Sequence, residues 1–273
     1  MHLEELLIQY HHDHGKDVLV EKFQDDLDPS VTFYVIDKVC HLLPQYDNRR
    51  LVFRSGSTYA YSTIYLSKQK RLQPIYESVQ RMVECFFPNF NQMERALVLG
   101  CAGCSVPRFL ALSNPECRIT GVEYSEKMVE IARKYFINDS IFNNFHLIRE
   151  DGFSFVHQRA EKYHFLYADI FQAEKNHPKL LSDDFVNDIA SITEEESISI
   201  FNLLNLSREE SNRFALRFGP LFDAAYLFDE TFHYYVAFVK TKHPSGLKDF
   251  EARAGRHVRI LERYLFTISR TMA

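Results

Sequence analysis

The sequence predicts an α/β protein: a doubly wound, mostly parallel seven-stranded sheet behind a small helical and β-hairpin region. Three observations lead there. From Arg95 onward, short apolar runs alternate with amphipathic segments, the pattern of strands buried on both faces and joined by helices. Between the first run and its helix lies the turn LGCAGCS, residues 99–105, whose small residues let a ligand approach the backbone. Acids then stand at or just after the ends of three successive strands: Glu123, Asp151 and Asp169.

In chain order, residues 1–28 read as helical, because Leu3, Leu6, Leu7 and Tyr10 recur at helical spacing behind early acids. Asp28-Pro29-Ser30 ends that pattern. Residues 31–43 fit either a strand or a short helix. LVFRS and YAYSTIYL flank Gly56-Ser57 and read as a hairpin over 51–66. Pro74 suits the first turn of a helix that buries Ile75, Val79, Met82, Val83 and Phe86. RALVLG is the first sheet strand, and Ser105 is the expected cap of the helix after it. CRITGVE follows, then a helix capped by Ser125, then the strand FHLIRE and a short helix over 151–157. YHFLYAD is the fourth strand, 182–191 a helix, SISIFNLL the fifth strand and 208–218 a helix. Residues 224–228 and HYYVAFVK pair antiparallel at one edge. Residues 247–272 read as one amphipathic helix carrying a cationic stripe of Arg253, Arg256, Arg259 and Arg263. The units expected are 1–73, an α/β unit over 74–243, and a C-terminal helix over 244–273.

Composition narrows the function. With 32 Lys and Arg against 37 Asp and Glu, the net charge of −5 offers no bulk attraction to nucleic acid. No apolar run approaches the ~20 residues of a membrane span, and MHLEELLIQYHHDHGKD lacks the basic-then-apolar order of a signal peptide. Five cysteines (Cys40, Cys85, Cys101, Cys104, Cys117) do not form a disulfide framework, which points to a reducing, cytoplasmic setting. A small-molecule acceptor is the expected partner, with neither nucleic acid nor membrane.

Each chemical residue carries a functional and a plain reading. Glu123 stands 23 positions after Gly100, near the ~20-residue offset of an acid that hydrogen-bonds a ribose. Asp151 suits an exocyclic amine such as that of adenine, or a helix cap, or both. Asp169 suits orientation or deprotonation of an amine or hydroxyl nucleophile, or a turn cap. Cys101 and Cys104 make a CxxC without a second one, and read better as small residues of the turn than as a redox or metal pair. His11, His12, Asp13 and His14 look like a ligand cluster but read better as a solvated helix end. No metal site is expected.

Taken together, VLGCAGCSVPRFLA, GVEYSEKMVEIARKYF, EDGFSF and YHFLYADIF resemble the successive motifs of class I S-adenosylmethionine-dependent transferases. Within that group the chain is most similar to spermidine synthases and their methyltransferase-like relatives, over roughly residues 50–240, including the hairpin and PIYESVQRMVECFFP. The resemblance implies a Rossmann-like methyltransferase fold and S-adenosylmethionine, or its decarboxylated form, as cofactor. It makes Gly100, Cys101, Ala102, Gly103 and Ser105 the cofactor loop, Glu123 the ribose ligand and Asp151 the adenine-amine ligand, with Tyr124 and Gly152 beside them. It makes Asp169 the catalytic acid and Tyr76 a tyrosine beside the substrate. The chain departs from the aminopropyltransferase pattern twice. Gly103 stands about where those enzymes carry an Asp that holds the amine of the transferred chain, and their aspartate-serine signature is reduced to ADIFQAE. The expected function is a transferase, most simply a methyltransferase acting on a small molecule. Aminopropyl or aminocarboxypropyl transfer is the alternative. A non-catalytic nucleoside- or protein-binding relative is a third reading, against which the joint presence of Glu123, Asp151 and Asp169 argues. The first 45 residues and the final helix are the expected contacts of a homodimer.

Overall fold

The structure is a computed structural model that describes residues 3–55, 57–74, 76–137, 140–172, 175–230, 233–242 and 244–266. The chain opens with helix α1 (Leu3–His14), then strands β1 (Lys16–Gln24), β2 (Thr32–Val39), β3 (Asn48–Ser55) and β4 (Ser57–Tyr65), which form an antiparallel sheet in that order. Two expectations change here. Residues 1–28 are half helix and half strand, because beyond Gly15 the apolar positions Val18, Val20 and Phe23 no longer follow one helical face and the backbone pairs with β2 instead. Residues 32–39 settle as strand, since pairing with both β1 and β3 satisfies their backbone groups. His11 is buried, its Nε2 3.0 Å from Asp47 Oδ1, and so pins α1 to the β2–β3 connection, while His12 and His14 stay on the surface. Among the described residues no group of three or more His, Cys, Asp or Glu is placed to hold a metal.

The main sheet follows. Its elements are α2 (Glu77–Phe86), β5 (Arg95–Leu99), α3 (Ser105–Ser113), β6 (Arg118–Glu123), α4 (Glu126–Ile131, continuing as a π-helical turn to Phe136), β7 (Phe145–Arg149), α5 (Gly152–His157) and β8 (Tyr163–Ala168). A two-residue pair, β9 (Phe171–Gln172) and β10 (Lys175–Asn176), precedes α6 (Asp183–Ser191), β11 (Thr193–Leu204), α7 (Arg208–Phe218), β12 (Ala224–Glu230), β13 (His233–Lys240), α8 (Pro244–Ala254) and β14 (Ile260–Leu265). The sheet order is β14-β12-β13-β11-β8-β5-β6-β7, parallel from β11 to β7 and antiparallel from β11 outward to β14. The doubly wound fold is as expected, with eight strands among the described residues rather than seven.

The eighth strand corrects the C-terminal helix. α8 stops at Ala254, where Gly255 donates to Glu251 O and ends the helix, and residues 260–265 then pair along β12. A bare β12 edge would leave a row of backbone groups unpaired; β14 fills it. The arginine stripe dissolves with the helix: Arg253 Nε donates to Cys85 O, and Arg263 Nη1 lies 2.8 Å from Glu251 Oε2. Residues 267–272 of the expected helix lie outside the described residues. α2 also begins later than expected, at Glu77, because Tyr76 takes a left-handed conformation (φ 64°).

One hydrophobic cluster joins both sheets. Phe33, Val35, Leu51 and Ile64 of the N-terminal sheet share it with Val79 and Met82 of α2, Phe109 of α3 and Phe136 beyond α4. The N-terminal sheet therefore shares its core with the main unit and meets it through α3.

Candidate functional site

The neighbour order β8-β5-β6-β7 sets four segments side by side along the carboxyl edge of the parallel strands: Asp169, residues 100–104, Glu123 and Asp151. After β5 the chain builds outward through β6 and β7, then returns to the other side of β5 with β8. That reversal opens a crevice at the strand ends, where ligands of such sheets bind.

Gly100 sits at the reversal with φ 81°, and its N–H donates to Val122 O at 2.9 Å. A Cβ there would come 2.1 Å from Asp169 O, so glycine is required both by conformation and by the close approach of the two loops. Ala102 (φ 39°) and Cys104 (φ 59°) also take positive φ. A non-glycine residue in the left-handed region costs roughly 1–2 kcal/mol, so the loop keeps a glycine-type path without the glycines. Glu123 supplies one restraint. Its Oε2 accepts from Cys101 N (3.0 Å) and Ala102 N (3.1 Å), and its Oε1 accepts from Ser125 N (3.2 Å). A carboxylate offers about four acceptor directions, so these bonds leave room for a ligand hydroxyl.

Cys101 and Cys104 are buried free thiols. Burial raises both above the ordinary thiol range, helped at Cys101 by Cys104 and Glu123 and at Cys104 by Glu123. Protonated and enclosed, they pack the turn. Ser105 is not the helix cap that the sequence suggests, since Cys104 occupies that position. Its hydroxyl lies 2.6 Å from Ser62 Oγ and donates to Thr63 O at 2.9 Å, tying the loop to β4. Gly103 lies under the same strand, and a Cβ there would come 2.7 Å from Ser62 Cβ.

Asp151 caps α5: Oδ2 accepts from Ser154 N (3.1 Å) and Ser154 Oγ (2.8 Å). Among the described residues no hydrogen bond is made by Oδ1, so capping and ligand contact are compatible. Gly152 begins α5 with Ile170 Cδ1 3.1 Å from where its Cβ would stand, and Tyr124 is exposed on the rim beside Glu123.

Asp169 lies partly covered at the end of β8. Asn202 Nδ2 donates to its Oδ1 at 2.8 Å, and the Tyr76 and Tyr167 side chains stand beside the same carboxyl. Burial pushes this carboxyl up to about 7; the neighbouring Asn202, Tyr76 and Tyr167 polar groups pull it down, and the Glu123 charge raises it further. The Tyr76 and Tyr167 rings meet with centroids 5.9 Å apart. Tyr76 and Asp169 are thus brought together. Asn202 and Tyr167 were not foreseen. The signal for Asn202 was present, because a polar amide inside SISIFNLL is a buried group in need of a partner. Its Oδ1 accepts no hydrogen bond among the described residues.

No protein-family model matches the chain. A probable spermidine synthase from Corynebacterium glutamicum superposes with a TM-score of 0.65 at 12% identity, covering 86% of this chain and 87% of that one. Human methyltransferase-like protein 13, solved in complex with SAH, superposes with a TM-score of 0.52 at 16% identity, covering 66% and 88%. The fold is that of the class I S-adenosylmethionine-dependent transferases. Sequence likeness points the same way. A polyamine aminopropyltransferase of Thermoplasma acidophilum is 26% identical over 187 residues, 66% of this chain and 66% of that protein. An eEF1A lysine and N-terminal methyltransferase homolog of Drosophila pseudoobscura pseudoobscura is 35% identical over 79 residues, 29% of this chain and 12% of that protein. The chain therefore matches just under two thirds of the first relative's length and a small part of the second's. Gly100, Glu123, Asp151 and Asp169 stand at the carboxyl ends of the parallel strands, the side of such sheets where ligands bind.

Proposed function

We propose that this chain is an S-adenosylmethionine-dependent transferase, most simply a methyltransferase acting on a small-molecule acceptor. The observation that carries the reading is the contact of two loops. Asp169 O lies where a Gly100 side chain would be, so the acid and the cofactor turn form one wall. The residues fit a nucleoside. Gly100 to Ala102 give a close-approach turn, Glu123 keeps acceptor capacity for a ribose hydroxyl, and Asp151 Oδ1 is open for an adenine amine. When bound, S-adenosylmethionine supplies a carbon activated by its sulfonium.

The chain's own part is positioning and proton removal. Asp169, ionised above about pH 7, accepts a proton from the acceptor's nucleophilic amine or hydroxyl. Asn202 Nδ2 holds one oxygen of that carboxylate in place. Tyr76, held in its left-handed turn, orients the acceptor beside Asp169. Methyl transfer is favoured over aminopropyl transfer by Gly103. The place of the amine-holding Asp is closed by Ser62, so the donor's amine meets no carboxylate there. The free, buried thiols suit a cytoplasmic setting.

Aminopropyl transfer is the second reading, supported by the 26% identity with a protein named polyamine aminopropyltransferase. Titration calorimetry with S-adenosylmethionine, decarboxylated S-adenosylmethionine and methylthioadenosine separates the two. The expected result is S-adenosylmethionine bound at least tenfold more tightly than its decarboxylated form. The reverse preference would replace the methyltransferase reading with the second one, and absence of binding by all three would remove the cofactor assignment.

A further inference from the structure

We propose that Asp26, on the turn between β1 and β2, is a positioning residue for the cofactor, fixing through Ser125 the Glu123 carboxylate that holds the ribose. The inference rests on the nucleoside-site reading above. It follows from a continuous series of hydrogen bonds. Asp26 Oδ1 accepts from Ser125 Oγ at 2.5 Å, and Asp26 Oδ2 accepts from Lys127 N at 3.2 Å. Ser125 N in turn donates to Glu123 Oε1, and Glu123 Oε2 receives the N–H groups of Cys101 and Ala102.

Ser125 is buried and has one hydroxyl proton. That proton goes to Asp26, and the hydroxyl oxygen accepts from Met128 N at 3.0 Å as the cap of α4. Asp26 thereby sets which way the hydroxyl points and holds the 123–125 backbone from outside. Partial burial opposes ionisation of Asp26, but hydrogen bonds, first those from Ser125 and Lys127 and then those from its own backbone N–H and the raised Asp25 carboxyl, keep it below its ordinary range. A charged acceptor makes these bonds stronger than neutral ones.

The surroundings show that this is a contact at a point rather than general packing. Beside it, β1 and α4 are separated by a cleft of about 190 Å³ lined by Glu21, Lys22, Phe23, Lys127, Glu130 and Lys134 among others. Across that cleft a second polar contact joins the same two elements: Glu21 Oε2 accepts from Tyr135 Oη (2.8 Å) and Lys134 Nζ (3.1 Å). This second contact lies on the π-helical turn at the far end of α4 and does not lead to Glu123. It is the built-in control.

The test is titration calorimetry with S-adenosylhomocysteine, with adenosine and 2′-deoxyadenosine as competitors. The expected results are a loss of about tenfold in affinity for Asp26→Ala, about threefold for Asp26→Asn, which keeps an acceptor for Ser125, and less than twofold for Glu21→Gln. In Asp26→Ala the preference for adenosine over 2′-deoxyadenosine should also shrink towards one, because the ribose-binding carboxylate is what loosens. Three results would overturn the proposal. They are affinity within twofold of wild type in Asp26→Ala, equal weakening of both competitors, and an equal loss in Glu21→Gln. If Asp26→Ala fails to fold, the competitor ratio of Asp26→Asn decides by the same criteria. A wild-type protein that binds none of the three compounds would instead remove the cofactor reading itself.

Discussion

The Asp169 carboxyl ionises near neutrality because burial at the crevice edge raises it from 3.8 to about 7. An unfolded chain ionises this group near pH 4, so between about pH 4 and pH 7 the folded state holds the extra proton. Stability from this group is complete below pH 4 and is lost as pH rises through 7, by no more than about 4 kcal/mol. Asp169→Asn removes that dependence. The variant is expected to melt higher than wild type at pH 8 and to lose on the order of 10²-fold or more in turnover. It is also expected to lose the rise in rate centred near pH 7. Thermal melts and pH–rate profiles of both proteins check this, and a variant with an unchanged profile would reduce Asp169 to a structural group. Ala102 is the complementary case. Its φ of 39° is strained for alanine, so Ala102→Gly should stabilise by a few tenths to about 1 kcal/mol once the entropy of glycine is counted. A denaturant midpoint that fell would show that the loop depends on the alanine methyl group.

Between elements, the contact of the cofactor loop with β4 admits no added atom. Gly103→Ala places a methyl 2.7 Å from Ser62 Cβ and is expected to cost about 1–3 kcal/mol. Adding Ser62→Gly should recover part of that loss, despite removing the Ser62–Ser105 hydrogen bond, and equilibrium unfolding of the four proteins gives the coupling directly. The elements that were legible from sequence have local signals: the apolar runs of β5 to β8, the caps at Ser125 and Asp151, and the helices at 183–191 and 208–218. The elements that misled owe their state to distant partners. Residues 260–265 have Leu261 and Leu265 spaced for a helix, and pairing with the open edge of β12 makes them a strand. Residues 16–24 lie next to a helix and become a strand because β2 is there to pair with them. The site divides the same way. Glu123, Asp151 and Asp169 could be read from their strand-end positions, but the contacts of Asn202 with Asp169 and of Asp26 with Ser125 join residues 33 and 99 positions apart.

Across the whole molecule, the question is whether the N-terminal sheet is a separate folding unit. Its strand order is self-contained, β1 to β4, and among the described residues it shares no backbone ladder with the main sheet. Its core is not self-contained, because Phe33, Val35, Leu51 and Ile64 belong to the same buried cluster as Val79, Met82, Phe109 and Phe136. Arg49 adds a polar tie, with Nη1 donating to Tyr135 O at 2.8 Å while Nε and Nη2 hold Asp37. Burying a large aliphatic or aromatic side chain contributes about 1.5–3 kcal/mol, so even a few lost across this boundary equal a large fraction of a domain's net stability of about 5–15 kcal/mol. Neither half can then melt far ahead of the other. Differential scanning calorimetry is expected to show one endotherm with calorimetric and van't Hoff enthalpies in agreement. A chain beginning at residue 74 is expected to expose the Val79–Met82 face, to aggregate and to bind no nucleoside. Two resolved endotherms, or a soluble truncated chain that binds S-adenosylhomocysteine, would show that the N-terminal sheet is an accessory rather than part of the fold that forms the site.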